Sequence, residues 1–586
     1  MNNSLKNAEV FWHTASHILA QAVTNLYADV KLAIGPAIKT GFYYDFDFPT
    51  PISMDDLKKI EDEMQRIVEA DYPITCAVLS KKAAIEKMKE QPYKLELIEG
   101  IEKGVKPSFY TQGNFTDLCA GPHLPSTGYV KFFKLTGLAG AYWRGNEKNK
   151  VLTRIYGTAF QKKAELTEYL TLLEEAKKRD HNKLGRELGY FMTDEKIGQG
   201  LPLLMPKGAK LMQILQRFVE DEEQKRGYLL TKTPYMAKSD LYKISGHWQH
   251  YKDKMFVIGD EKDKDAEILA LRPMTCPYQY MIYKNGLKSY RDLPVRYNET
   301  STLFRNEASG EMHGLIRVRQ FTLSEGHIIC TPAQLAQEFK DCLALSYYML
   351  DCLGLRGDVT FRFSKYDPAD NEKYVGSAEE WNSAEALMKQ ILDELGLAYE
   401  TAVGEAAFYG PKLDIQAKNV FGKEDTVITI QVDMFLAEKF EMLYTDADGV
   451  KKHPYIIHRS SIGCYERTMA MLLEKYAGAL PLWLAPEQVR VLSLTERTAE
   501  LVTQTAQKLN AAGFRAQTDN RNEKIGYKIR EAAADKIPYM LIIGDRDAEA
   551  GVVSVRARGE NGDLGQMTLN DFIQRISQEA DSALKK

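Results

Sequence analysis

The sequence predicts an α+β protein of several domains, and three observations carry that prediction. At 586 residues the chain exceeds the ~250 to 300 residues at which a single core stops growing, so roughly three to five domains are expected. The middle of the chain, RYNETSTLFRNEASGEMHGLIRVRQFTLSEGHIIC from Arg296 to Cys330, reads as a strand, a polar turn containing Ser309 and Gly310, and a second strand. From about residue 485 the pattern changes to strands alternating with helices, as in a parallel or mixed sheet covered by helices.

Composition narrows the classes. With 44% hydrophobic and 27% charged residues the chain is ordinary globular protein. A formal net charge of -4 provides no overall field for nucleic acid, so any RNA contact must rest on local patches. No apolar run approaches the ~20 residues that span a bilayer, and MNNSLKNAEVFWHTASH lacks the basic-then-apolar layout of a signal peptide. A cytoplasmic protein is expected. Seven cysteines, an odd number over a long chain, point to reduced thiols in metal or catalytic roles rather than to a disulfide framework.

The N-terminal segment AEVFWHTASHILAQAVTNLY is apolar at helical spacing and carries His13 and His17 four apart, which puts both imidazoles on one helix face. About a hundred residues on, TDLCAGPHLPSTG carries Cys119 and His123, also four apart. Such a set allows a tetrahedral zinc site, a metal-free polar pocket, or separate core residues. The spacing HxxxH followed by CxxxH resembles the editing domain shared by threonyl- and alanyl-tRNA synthetases, whose pocket hydrolyses a mischarged aminoacyl-tRNA ester. In the threonyl branch the resemblance implies a pocket that works without metal. Hydrolysis there needs a positioned water and groups that shuttle protons, which His and Cys can do near neutral pH. By match to the family's motifs, Asp117 and Lys94, in SFYTQGNFTDLCAGPH and QPYKLELIEG, join His13, His17, Cys119 and His123 as editing residues. The stretch AIGPAIKTGFYYDFDF resembles the same domain, and its Tyr43, Tyr44 and Asp45 either line the pocket or pack it, with packing preferred. Helices are expected at 53–70, with Ser53 as N-cap, and at 164–186, a charged and mostly solvated connector. Threonyl synthetases often begin with a small ubiquitin-like domain; with the first editing histidine at His13, the form expected here lacks it.

In the central hairpin, Arg305, Arg317 and Arg319 can place a guanidinium on each strand over one bound phosphate, whose oxygens the planar fork of Arg suits. An ordinary basic surface hairpin fits the same residues. The run FRNEASGEMHGLIRVRQF resembles motif 2 of a class II aminoacyl-tRNA synthetase, which implies a catalytic core built on an antiparallel sheet. Ahead of it, GAKLMQILQRFVEDEEQKRGYLLTKTPYM, an amphipathic helix, a Gly227 turn and a strand ending at Pro234, resembles motif 1, through which such enzymes form homodimers.

Cys276, His327 and His458 form the second constellation. Spacing alone leaves them scattered core residues, but their settings RPMTCP, FTLSEGH and IIHRSSIGCYER resemble the three zinc-bearing segments of threonyl-tRNA synthetases. One thiolate, two imidazoles and an open position suit a zinc that binds ligands. Threonine and valine are nearly isosteric, and an apolar pocket separates such a pair by no more than about a hundredfold. A metal that takes both the amino group and the side-chain hydroxyl rejects valine but not serine. The two constellations therefore explain one another.

The remaining roles follow from the resemblance. Arg305 would hold the α-phosphate and Arg317 the γ-phosphate of a bent ATP, with Mg2+, while Glu307 would meet the adenine amino group. Arg467, in CYERTMAMLLEKY, matches the motif 3 arginine, and Gln431, Tyr409 and Lys412 match active-site segments. Glu325, Tyr409, Gln431 and Cys464 are the candidates for binding L-threonine. Departures from the family's pattern cluster at the pocket wall: Leu323, Ser324 and Glu325 replace the Q-D-D of F-T-Q-D-D-A-H, while Thr275, Tyr278 and Gln279 replace asparagine, glycine and histidine around the cysteine. A serine becomes Cys464, and glutamine and cysteine become Thr426 and Val427. Drift at tolerated positions, a specialised inhibitor-resistant copy, and a different small hydroxy amino acid all remain open.

The stretch NRNEKIGYKIREAAADKIPYMLIIGDRD resembles the anticodon-binding domain of the histidyl, prolyl, glycyl and threonyl synthetases. Asn522, Lys524, Arg530, Lys536 and Arg556 are the candidates to meet splayed anticodon bases. The resulting expectation is an editing domain (1–160), a helical linker (161–186), a class II catalytic core (187–484) and an α/β anticodon-binding domain (485–586), acting on tRNA(Thr), ATP and L-threonine without DNA or membrane. A paralogue that binds RNA without charging it, or one that loads a carrier protein, is the competing reading.

Overall fold

The structure is a computed structural model and describes residues 2–585 except 39, 103, 147, 264, 371, 372, 560 and 561, with side chains described from residue 8. It divides into two units, Met1–Glu175 and Ala176–Lys586.

In the first unit, helix α1 (Asn2–Leu26) buries Phe11, Ala15, Ile18, Leu19, Ala22 and Val23 at three- and four-residue spacing, as its apolar periodicity requires. It packs on an antiparallel sheet in which β1 (Gly41–Asp47) pairs with a long hairpin of two later strands. Helix α2 (Asp56–Glu69) starts later than Ser53 suggested: Asp55 occupies the N-cap position, and the Asp56 carboxylate instead accepts from Ser53 N at 2.9 Å, so the serine belongs to the turn before the helix. A small sheet of β2 (Ile74–Val78), β3 (Ser108–Gln112) and β4 (Phe115–Leu118), with helix α3 (Pro92–Glu99), completes the unit.

The single helix expected at 164–186 is two. Helix α4 (Lys163–Arg179) ends at Asp180, whose carboxylate accepts from Asn182 N and Lys183 N and so caps α5 (His181–Glu187). The second unit then builds an eight-stranded sheet. Its strands are β5 (Leu229–Leu230), which follows helix α6 (Pro206–Lys225); β6 (Val295–Phe304); β7 (Gln320–Cys330), which is followed by helix α7 (Leu335–Leu353); β8 (Val359–Lys365); β9 (Glu400–Val403); β10 (Lys412–Lys418); β11 (Glu424–Asp433); and β12 (Tyr455–Cys464), which is followed by helix α8 (Tyr465–Lys475). They lie in the order β5-β6-β7-β12-β11-β10-β8-β9, antiparallel except for the pair at each edge. One face carries Ile328, Ile457, Ile430 and Leu413 onto α7 and α8, in a single cluster with Phe339, Leu350 and Leu472; each such buried side chain contributes roughly 1.5–3 kcal/mol.

The C-terminal part of this unit has a five-stranded mixed sheet. Strands β13 (Val489–Ser493), β14 (Ala516–Asp519) and β15 (Tyr539–Ile543) are parallel, and β16 (Val553–Ala557) and β17 (Asp563–Met567) add on antiparallel. The sequence signalled the first four; β17, DLGQM, has a glycine at its centre, Gly565, with polar neighbours and little β-propensity of its own.

Candidate functional sites

The first unit gathers all six residues that motif matching picked out. Helix α1 presents His13 and His17, the segment after β4 presents Cys119 and His123, and the ligand atoms of these four lie within 4.8 Å of one another. Cys119 Sγ is the hub, 3.1 Å from His13 Nε2 and 3.2 Å from His123 Nε2, with Gly121 N donating to it at 3.2 Å. Thr14 Oγ1 holds His123 Nδ1 at 3.3 Å. Beneath them Lys94 of α3 and Asp117 of β4 form a buried ion pair at 2.7 Å, and Tyr44 OH donates to Asp117 at 2.5 Å. Tyr44 thus packs and also orients Asp117, whereas Tyr43 and Asp45 serve Arg154, which the Asp45 carboxylate holds at 2.6 and 2.8 Å. His13 lines a cavity of about 540 Å³ together with Glu9, Pro36, Gly121 and Pro122.

Burial sets the protonation of this cluster. Desolvation lowers all three imidazoles, His123 to about 2, and raises the Cys119 thiol to about 11. Near neutral pH the pocket therefore holds neutral imidazoles and a protonated thiol. That inventory suits relaying a proton to or from a water, and it is unsuited to attack by a thiolate.

In the second unit, strand register assembles the site. His327 on β7 pairs with His458 on β12, His458 with Gln431 on β11, and Gln431 with Lys412 on β10, so these four form one row across the sheet face opposite the core. Cys276, at the start of helix 276–283, meets the two histidines, and the three ligand atoms lie within 4.8 Å. A cavity of about 260 Å³ reaches Cys276 and His458 but not the buried His327, and is lined also by Arg305, Leu323, Glu325, Tyr409, Thr426, Val427, Gln431, Cys464 and Arg467. Tyr409 OH donates to Gln431 at 2.6 Å, and its ring stacks on His458.

The arginines do not sit on the hairpin strands. β6 ends at Phe304 and β7 begins at Gln320, so Arg305, Arg317 and Arg319 flank the long connection, with Arg305 N bonded to Arg319 O across its mouth at 2.8 Å. Arg305 enters the cavity and lies over Phe321. Arg317 and Glu307 stand outside it, paired at 2.9 Å, with Lys254 also on Glu307. Arg467 is anchored from α8 to the carbonyls of Ile316 and Thr426. Lys412 pairs with Asp414 at 2.7 Å.

The altered wall has its own logic. Ser324 Oγ accepts from Ser461 N and Ile462 N and donates to Gly463 O, filling the irregularity between β7 and β12. Gly463 has φ +69°, and a Cβ there would stand 1.8 Å from Val427 O, so no other residue fits. That turn aims Cys464 into the cavity, where its thiol donates to Glu466.

Comparison with known proteins decides the family. Residues 108–156 match the threonyl and alanyl tRNA synthetase second additional domain, 256–476 the class II tRNA synthetase core domain (G, H, P, S and T), and 488–579 the anticodon binding domain. A threonine–tRNA ligase of Clostridium perfringens is 60% identical over 574 residues, covering 98% of this chain and 89% of the relative. The chain belongs to the threonyl-tRNA synthetase family. Threonine–tRNA ligase 1 of Bacillus subtilis is 46% identical over 580 residues, with 98% and 89% covered. The solved RNA binding domain of threonyl-tRNA synthetase from Cryptosporidium parvum superposes with a TM-score of 0.64 at 34% identity, covering 68% of this chain and 98% of that one.

The donor set Cys276, His327 and His458 fits a zinc ion. His327 Nε2 is buried with no hydrogen-bond partner among the described residues, and the Glu325 carboxylate stands 3.7 Å from it. Burial raises the Cys276 thiol well above its usual range, so a thiolate there needs a neighbouring cation. Both imidazoles are held from outside, His327 Nδ1 by Gln279 at 2.6 Å and His458 Nε2 by Asp433 at 3.0 Å, the outer bonding that metal-ligating histidines use. Sequence reading missed Asp433; its own signal is slight, an aspartate in a strand two residues after Gln431.

The five anticodon candidates do not converge. Asn522 and Lys524 follow β14 at the carboxyl edge of the parallel strands. Lys536 precedes β15, and Arg556 pairs with Met540 near the start of that strand, so both lie toward the opposite edge. Arg530 sits midway along helix 525–534. The carboxyl edge, where parallel strands present ligands, also holds Lys528, a residue the motif reading passed over; its buried ammonium donates to Ser493 O and Asp519 O.

Proposed function

We propose that the chain joins L-threonine to tRNA(Thr) through a threonyl-adenylate in the 187–484 core, and hydrolyses seryl-tRNA(Thr) in the 1–160 pocket. The observation that carries this reading is the row His327, His458, Gln431, completed by Cys276, of which Cys276, His458 and Gln431 line a cavity that also receives Arg305 and Arg467 while His327 lies buried behind His458 in the row. Cys276, His327 and His458 would hold zinc, which would supply Lewis-acid recognition of a hydroxy amino acid and so disfavour valine, which lacks the hydroxyl. Tyr409 and Glu325 flank the amino acid. A carboxylate oxygen of threonine attacks the α-phosphorus of ATP as the bond to pyrophosphate breaks; Arg305 and Arg467 neutralise the charge, with magnesium accompanying ATP. Arg317, once a phosphate replaces Glu307 as its partner, holds the far end of the triphosphate.

In the editing pocket Lys94 and Asp117 fix the floor, and the neutral His13 and His123 pass a proton between water and the departing tRNA hydroxyl. Asn522, Lys524 and Arg530 are the stronger candidates for the anticodon. A homodimer is supported by Leu229 and Leu230 of β5, an edge strand with both side chains exposed. Among the described residues no helix is long and apolar enough to cross a membrane.

Pyrophosphate exchange with zinc-loaded protein tests the reading. Threonine should support exchange, serine less, and valine no more than about a hundredth as much. Absence of threonine-dependent exchange would overturn it in favour of another hydroxy amino acid or a non-charging RNA binder. Repeating the assay with an inhibitor of the family asks whether the wall of Leu323, Val427 and Cys464 confers resistance.

A further inference from the structure

A buried chain of hydrogen bonds leads away from His327, and its direction is forced by chemistry. Gln279 Oε1 lies 2.6 Å from His327 Nδ1, and Gln279 Nε2 lies 2.8 Å from Thr231 Oγ1. Thr231 Oγ1 in turn has two further neighbours, Asn298 O at 3.1 Å and a Glu299 carboxylate oxygen at 3.3 Å. Both of these can only accept, so the single hydroxyl proton of Thr231 must go to one of them, and its oxygen must accept from Gln279. Glu299 is pinned by Arg272 at 2.9 Å and by Thr233, and Arg272 and Glu299 are both almost fully buried. The Gln279 amide is therefore oriented with its NH2 toward Thr231 and its carbonyl toward His327. Facing a carbonyl, His327 must carry its proton on Nδ1, which leaves the Nε2 lone pair free; that nitrogen has no hydrogen-bond partner among the described residues, its nearest charged neighbour being the Glu325 carboxylate at 3.7 Å.

We propose that Gln279 and Thr231 are positioning residues for the metal site: the relay from Glu299 through Thr231 and Gln279 selects the His327 tautomer that can bind zinc. Thr231 directly follows β5, the strand assigned above to dimerisation, so the relay ties that strand to the metal ligand. His458, by contrast, gets its tautomer in one step from Asp433. The inference rests on the zinc reading of Cys276, His327 and His458.

The test uses full-length protein and zinc itself, with transfer of zinc to a chromophoric chelator as the readout. Gln279→Leu should weaken zinc by about 10- to 100-fold, the usual effect of losing an outer partner. Thr231→Val should weaken it about tenfold, because the amide is then free to turn over. Gln279→Glu presents only acceptors, so it should keep zinc, and in that background Thr231→Val should have no effect. A merely structural role for Thr231 would persist in the double variant and would overturn the relay. Imidazole 15N shifts of the metal-free protein read the tautomer directly: Nδ1–H alone at His327 in the unmodified chain, a mixture in Thr231→Val. Unmodified protein that retains no zinc but shows the single tautomer would sink the zinc reading while leaving the relay standing, and a mixture in the unmodified chain would sink the relay.

Discussion

Two clusters of histidine and cysteine occur in this molecule, built from the same residue types and wired in opposite senses. In the N-terminal pocket the donors bond to one another: Cys119 bridges His13 and His123, and only His17 Nδ1 is left without a partner among the described residues. In the catalytic core each imidazole is bonded outward, to Gln279 or Asp433, and His327 Nε2 is left without a hydrogen-bond partner among the described residues. Inward wiring satisfies the cluster by itself and suits proton handling around a substrate water. Outward wiring leaves lone pairs converging on one point, which is costly unless a cation occupies it. Residue type alone does not distinguish a metal site from a metal-free pocket; the direction of the hydrogen bonds does.

The largest expected effect that can break this comparison is the response to chelation. Stripping divalent metal should abolish threonine-dependent exchange measured after magnesium is restored, and zinc alone should bring it back. Deacylation of seryl-tRNA(Thr), followed in the same sample, should be untouched; loss of both activities together would show that the N-terminal cluster also needs metal. Next in size is His123→Ala, expected to slow deacylation by about 10²–10⁴-fold, the range of a lost proton-transfer group, with exchange unchanged. Arg467→Ala should lower kcat/KM for exchange by about 10²–10³-fold through lost charge stabilisation and leave deacylation intact.

A pH series sharpens the contrast further. The His123 imidazole titrates near 6.5 when unfolded and near 2 in the pocket, and His13 and His17 shift in the same direction. Between those values the unfolded chain binds the extra protons, so the stabilising contribution is complete above pH 6.5 and is lost as pH falls toward 2. Thermal melts of the first unit should drop steadily through that window, and a melt flat down to pH 4 would contradict the neutral cluster. Smallest is Thr14→Ala, which removes the hydroxyl shared by His123 Nδ1 and Leu124 N; about 1 kcal/mol of stability should go, read by denaturant melts.

Much of this was legible in the sequence because it is local or because it is written in motifs. The spacing of His13 and His17 on one helix turn, the hairpin after Arg296, and the settings of Cys276, His327 and His458 needed no coordinates. Local rules failed where a neighbour competed: Ser53 lost the capping position to Asp55, Asp180 broke one helix into two, and the arginines of motif 2 were placed on strands when they flank a loop. What only the tertiary structure decided is pairing across the sheet. Asp433 and Thr231 carry little signal in one dimension, since nothing in the residues around them says which imidazole or amide they will serve. The anticodon candidates show the same limit from the other side, for residues close in sequence were sent to opposite edges of a sheet by the direction of its strands. The sequence by itself determined which side chains were present and on what kind of element. Register and strand order determined which of them share a face, and with that which hydrogen bonds point inward and which away.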